Sequence, residues 1–278
     1  GVMSCFNHFS LLRSLMFLFS FYFRWLFKRV VDWLADPHAS SLLLLCGEAG
    51  VGKSAFAATL AAGAAAGLPP PLARYFCQYG RVASERQCVR ALAAGLCSSV
   101  AGFATALAGD AGWRQRVRSD AAGGEREALA AVMGALHRVP SPASAASLHI
   151  IVVDALDEAP GVATLVGEVA GGAQRGDMMP LPQWLRVVAT SRDDPRVLDD
   201  VRMAMGATKP LELRPTVAEN RRDVEEYIGM RLARIGGTAV ALRDPLVERA
   251  DGLFLWAKLA LDIVEQVSGM DLIAVAHG

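Results

Sequence analysis

An α/β fold, with a doubly wound, mainly parallel five-stranded sheet followed by a small all-helical lid, is what the sequence predicts. Three observations predict it. Five short apolar runs, at 41–46, 74–78, 148–153, 185–190 and 210–213, are separated by stretches of helical character, an alternation that argues parallel strands with helices on both faces. The run 148–153, Leu-His-Ile-Ile-Val-Val, is nearly all apolar and β-branched, as a strand covered on both faces should be. The third observation is the text that follows the first run, Gly47-Glu48-Ala49-Gly50-Val51-Gly52-Lys53-Ser54, a complete G-x-x-x-x-G-K-[ST] pattern with a helix-forming stretch behind it. Residue frequencies alone would produce that pattern in roughly one chain in a hundred of this length.

The pattern makes the predicted sheet that of a P-loop NTPase. Glycines let consecutive backbone N–H groups turn toward a β-phosphate, and the following helix N-terminus adds partial positive charge. Lys53 would reach the β- and γ-phosphates, and the Ser54 hydroxyl would coordinate Mg²⁺. Gly47, Glu48, Ala49, Gly50, Val51, Gly52, Lys53, Ser54 and Ala55 are therefore the candidate nucleotide-binding residues, with the phosphates of a nucleotide and Mg²⁺ as the expected ligands.

Taken in order, the elements begin with a helix over 24–35, where Leu26, Val30, Trp33 and Leu34 share one face and Asp36-Pro37 ends it. The helix after the loop is expected to run to Gly67, ahead of Pro69-Pro70-Pro71. Residues 74–78 form the second strand by aromatic content, and 84–100 a helix with Cys88, Leu92, Leu96 and Val100 inward. Residues 102–124 carry little signal. A helix over 125–139 turns Leu129, Val132, Met133 and Leu136 inward, and 140–147 is a loop. After Pro215 only helices are expected. Thr216-Val-Ala-Glu219 is a capping box for a helix with Val224, Tyr227, Ile228, Leu232 and Ile235 inward, stopped by Gly236-Gly237. A short helix from Asp244-Pro245 and a third over 253–267 follow, separated by Asp251-Gly252. The expected organisation is a basic and apolar segment over 1–23, a nucleotide-binding domain with its leading helix over 24–215, and a helical lid over 216–278.

Composition narrows the function classes. Lys plus Arg equals Asp plus Glu at 28 each, so no overall field draws the chain to nucleic acid. The five cysteines form no C-x-x-C pair and the histidines no H-E-x-x-H spacing, which speaks against a zinc site or a disulfide framework and for free thiols in a reducing, cytoplasmic compartment. Residues 1–31 carry Arg13, Arg24, Lys28 and Arg29 with no acid, around an apolar run over 14–23. That run is half the roughly 20 residues of a spanning helix. A membrane-associated anchor within 9–27, a helix packed on the domain, and unstructured sequence all stay open. The chain opens on Gly1 and stops at His277-Gly278, and it is expected to be a piece of a larger protein.

Two further strand ends carry chemistry. The run 148–153 ends in Asp154-Ala155-Leu156-Asp157-Glu158. A carboxylate there is suited to hold Mg²⁺ through water, which is the role expected of Asp154. Asp157 or Glu158 would polarise the attacking water as general base; otherwise these acids merely cap a following helix. The run 185–190 ends in Thr190-Ser191-Arg192-Asp193-Asp194-Pro195, where Arg192 would report on a γ-phosphate, unless it is a solvated arginine bonded to Asp193 or Asp194.

Together these strand ends resemble the NACHT NTPases of the STAND class. The likeness rests on Gly47 to Ser54, on Ile150-Ile-Val-Val-Asp-Ala-Leu-Asp-Glu158 with a small residue after the aspartate, and on Val187-Val-Ala-Thr-Ser-Arg192. Arg74-Tyr-Phe-Cys77, Leu181-Pro-Gln-Trp-Leu-Arg186 and Asp251-Gly-Leu-Phe-Leu-Trp-Ala257 extend it over roughly 24–268. The resemblance implies adenine over guanine, a regulatory switch with slow NTP hydrolysis in a signalling or defence-type protein, self-association through the NTPase domain, and protein sensor or effector domains elsewhere. The family's winged helix and its phosphate-contacting histidine have no counterpart in the chain, since His277 is too near the end. A turnover enzyme such as a small-molecule kinase, and a nucleotide-binding scaffold without significant turnover, are the alternatives. A GTPase would want N-K-x-D and an ABC ATPase L-S-G-G-Q, and neither occurs.

Overall fold

The computed structural model describes residues 23–63, 67–80, 84–113, 115, 124–141, 148–171, 178–206, 209–213 and 217–277. The apolar segment 1–22, Thr216 of the capping box and the side chain of His277 lie outside the described residues. The sheet is wholly parallel, with strands β1 (Leu42–Cys46), β2 (Ala73–Phe76), β3 (His149–Asp154), β4 (Leu185–Ser191) and β5 (Leu211–Leu213) in the spatial order β2-β3-β4-β1-β5. The register pairs Cys46 with Ser191 and Phe76 with Asp154, so the carboxyl ends of β1, β4, β3 and β2 stand side by side. Only β1 connects leftward in this order. Every later crossover runs the other way, which makes β1 the point where winding reverses and where open α/β sheets bind ligands.

The helices are α1 (Arg24–Ala35), α2 (Lys53–Ala61), α3 (Ser84–Ser99), α4 (Phe103–Ala108), α5 (Gly124–Arg138), α6 (Pro160–Gly171), α7 (Pro195–Met205), α8 (Val217–Ile235), α9 (Arg243–Ala250) and α10 (Phe254–His277). Short 3₁₀ turns occupy Leu156–Glu158 and Gly237–Leu242. Two compact units emerge. One holds residues 25–46 and 54–213; the other holds 23–24, 47–53 and the described residues beyond 214.

In the sheet unit, period two sorts the strands. Leu42, Leu44, Ile151, Val153, Val187 and Ala189 face a core built with α3 to α7. The alternate residues face α1 and α2, which join through the stacked Phe27 and Phe56 rings at 5.1 Å. On that second face the buried Arg186 guanidinium donates to the carbonyls of Trp33 and Asp36 and lies 5.1 Å from the Trp33 ring. It thereby caps the carboxyl end of α1, where orphan carbonyls need donors.

The expectations hold with shifted ends: α2 stops at Ala61 where a helix to Gly67 was expected, and α10 continues well past Val267. Helices α4, α6 and α7 lie outside the helices that the sequence predicts. The sequence places Asp194 and Pro195 at a strand end; in the structure Asp194 accepts the Arg196 N–H at 2.9 Å and Pro195 takes the first helical position of α7.

In the helical unit, Val224, Tyr227, Ile228 and Leu232 of α8 meet Phe254, Ala257 and Leu261 of α10 as buried residues. Arg231, itself buried, donates to Tyr227 Oη, Asp262 and Glu265 and so ties the two helices. Gly236 and Gly252, at φ 75° and 84°, end the helices where the sequence places breaks. Among the described residues no helix is long and apolar enough to cross a membrane.

Candidate functional site

The glycine loop leaves β1 and reaches α2 within seven residues, and two of its glycines are conformationally obligatory. Gly50 and Gly52 have φ of 86° and 101°, a region that L side chains rarely adopt. Sterics add a second reason at Gly52 and a tight fit at Gly50. A Cβ on Gly52 would lie 2.6 Å from the Phe23 ring and 3.2 Å from that of Phe254; one on Gly50 would lie 3.2 Å from Leu255 Cβ. The Gly50 carbonyl accepts the Leu255 N–H at 3.1 Å, which satisfies one of the orphan donors at the start of α10. Lys53 folds back over its own loop, its ammonium donating to the carbonyls of Gly47 at 2.8 Å and Glu48 at 2.7 Å. Glu48, Ala49 and Ser54 are exposed, Val51 and Ala55 half-buried. The Ala55 carbonyl accepts from Thr59 Oγ1 at 2.8 Å.

In the sheet unit the predicted acids take three different partners. Asp154, buried at the end of β3, accepts from Thr190 Oγ1 at 2.5 Å. The same Thr190 oxygen accepts the Ala155 N–H at 2.9 Å. Ala155 sits at φ 59°, ψ 54°, left-handed, which bends the chain away from the strand direction into the Leu156–Glu158 turn. The left-handed region already costs any residue with a Cβ and is worst for a β-branched one, and Ala155 also packs against the core, so a small unbranched residue suits the position after the aspartate. Beyond the bend, Asp157 accepts the Arg192 N–H at 2.8 Å and pairs with Arg192 Nε at 3.1 Å. Arg192 therefore meets Asp157, not Asp193 or Asp194. Glu158 accepts the Tyr79 N–H at 2.8 Å, beyond the end of β2. The three carboxylates, after burial itself, push the Cys77 thiol up to about 12.

Sequence reasoning missed two of these partners. Tyr79 contributes a main-chain group, which leaves no signal in the sequence. Thr190 was visible as a hydroxyl at the end of an apolar strand, but its partnership needs the register that sets Val153 beside Ala189 and thus Asp154 beside Thr190.

This chemistry fits a phosphate and a hydrated cation. An ammonium, a helix N-terminus and two positions whose left-handed φ disfavours a side chain come together in one loop, which suits a polyanion. Among the described residues no three His, Cys, Asp or Glu gather to hold an ion by themselves. A cation near Asp154 would need water and phosphate oxygens for its remaining ligands, as Mg²⁺ prefers.

No curated protein matches the chain. A family model does: the one described as Nephrocystin 3, N-terminal, matches residues 22–192, from the start of α1 through the glycine loop and the β3 acids to Arg192. That stretch is well over half of the chain and contains every predicted site residue, and the chain belongs to this family.

Proposed function

We propose that the chain is an ATP/ADP-binding switch module of the NACHT type, a STAND-class P-loop NTPase with slow hydrolysis. The observation that carries this reading is the loop Gly47–Ser54. Its pattern is complete, its Gly50 and Gly52 lie in the left-handed region, and its lysine lies over the loop at the start of α2. The wholly parallel sheet with its winding reversal at β1 supports it, as does membership in a family loosely consistent with a NACHT-like region.

In this reading Lys53 exchanges its loop carbonyls for, or shares them with, β- and γ-phosphate oxygens. Ser54 and Asp154 would hold Mg²⁺. When bound, the ion would supply neutralisation of phosphate charge. Glu158 or Asp157 orients and deprotonates the attacking water, and Arg192 stabilises charge on the γ-phosphate. A γ-phosphate contact present with ATP and absent with ADP supplies the differential binding energy a two-state switch requires. Self-association and protein sensor or effector partners belong to the same proposal.

The test is calorimetry of Mg·ADP and Mg·ATP binding to the chain and to Lys53→Ala. Binding to the first and its loss in the second are expected, because Lys53 is the main cation of the loop. Unchanged affinity in the variant overturns the assignment.

A further inference from the structure

We infer that Thr190 is the positioning residue of the cation site, fixing the carboxylate of Asp154 and the bend at Ala155 through one hydroxyl. The inference rests on the nucleotide reading above and extends it to a residue outside the glycine loop and the acids.

Geometry gives the hydroxyl a direction. Its oxygen accepts the Ala155 N–H at 2.9 Å, so its single proton is committed to Asp154 Oδ1 at 2.5 Å. Thr190 is fully buried and Asp154 nearly so, which leaves no water to compete for either bond at the hydroxyl. Thr190 belongs to a seven-residue strand held on both sides, by β3 and by β1, so its oxygen is as fixed as any atom in the sheet. The carboxylate plane of Asp154 inherits that fixity.

The second bond matters as much. Ala155 carries a left-handed φ of 59°, a conformation that costs about 1–2 kcal/mol for a residue with a Cβ. The Thr190 hydroxyl is the acceptor that holds its N–H. The bend in turn directs Asp157 to Arg192 and Glu158 to the Tyr79 N–H. One hydroxyl thus orients the cation-holding acid and stabilises the turn that aims the two acids after it. Outer-shell hydrogen bonds of this kind set metal affinity by about 10–100-fold.

The experiment measures ATP and ADP affinity with Mg²⁺ and with EDTA, on the chain and on Thr190→Val and Thr190→Ser, with circular dichroism to confirm folding. The readout is the ratio of the two affinities. In Thr190→Val this ratio should fall by about 10–100-fold, and Thr190→Ser, which keeps the hydroxyl, should restore it. A merely structural role would lower both affinities together and leave the ratio alone, and that result overturns the inference. So does an unchanged ratio in Thr190→Val, or a serine variant that fails to rescue. If Thr190→Val does not fold, Thr190→Ala carries the same comparison; if neither folds, the hydroxyl is a determinant of the fold and the inference falls. Absence of nucleotide binding by the unaltered chain removes the nucleotide reading itself. Nucleotide binding with an unaltered Mg²⁺ ratio removes only the role of Thr190.

Discussion

Asp157 and Glu158 are neighbours in the chain with different employment. Asp157 is claimed twice by Arg192, through its N–H and its Nε, and its side chain keeps only 10% of its exposure. Glu158 is held by one main-chain N–H through Oε2, and its Oε1 carries no hydrogen bond among the described residues. A base must accept a proton from water, so the acid with an uncommitted oxygen suits that work and the paired acid suits the holding of an arginine. On the proposed function, Glu158→Gln should therefore lower single-turnover hydrolysis by about 10²–10⁴-fold while leaving ATP affinity near its original value. Asp157→Asn should cost less and should be non-additive with Arg192→Ala, because both changes break one pair. Rapid-quench kinetics on the three variants and the double variant decide it; a silent Glu158→Gln beside an inactive Asp157→Asn reverses the assignment. That division was not legible in the sequence. The acid pair was visible as a motif, but its partners lie 35 and 79 positions away and depend on which strands are neighbours.

At the scale of elements, the close pairing of α6 and α7 rests on absent side chains. A Cβ on Gly167 would stand 2.8 Å from Val201 O and Ala204 Cβ, and one on Gly171 would stand 2.3 Å from Met205 Cα. Backbone cannot yield as a side-chain tip does, so Gly171→Ala should destabilise the domain by about 1–3 kcal/mol, read as a lower urea midpoint, despite alanine's better helix propensity. A midpoint that rises instead would mean the helices separate freely. The same feature explains why α6 is hard to read: Val162, Ala163, Leu165, Val166, Val169 and Ala170 are all buried, and the opposite stripe has only Thr164 and Glu168 as polar side chains, with glycines at its two ends. In α7 the stripe of Val197, Leu198, Val201 and Met205 is present, but its opening Asp194-Pro195 runs on from the Thr190-Ser191-Arg192 strand end without a break in the sequence. The strands, apolar on both faces, and the glycine loop were legible because their signals are local.

For the molecule as a whole, charge balance removes any global field, so pH limits come from particular buried groups. Burial, aided by Asp154, Glu158 and Asp157, raises the Cys77 thiol from 9.0 to about 12; burial also raises Cys88 and Tyr227. A raised value means the folded state keeps a proton that the unfolded chain releases. The corresponding stability is complete below pH 9 and drains away as pH climbs toward 12. Urea midpoints measured from pH 8 to 11 should fall, and Cys77→Ala should flatten that slope whatever it does to the midpoint at pH 8. An unchanged slope would show that the thiol carries no such linkage. The strand order has a mechanical consequence as well. With β4 interposed, the strand that feeds the loop and the strand that ends in Asp154 share no hydrogen bonds, so any relative travel between them must slide β4 against at least one of the two. Slipping β4 by one residue would exchange the side chains of its two packed faces and carry Arg186 into the wrong core, and the step that keeps every side chain on its own face is a jump of about 6–7 Å. Such a sheet has no small gears. On the proposed function, whatever distinguishes one nucleotide state from another has to be expressed in the turns beyond the strand ends, with the strands as a fixed bench beneath them.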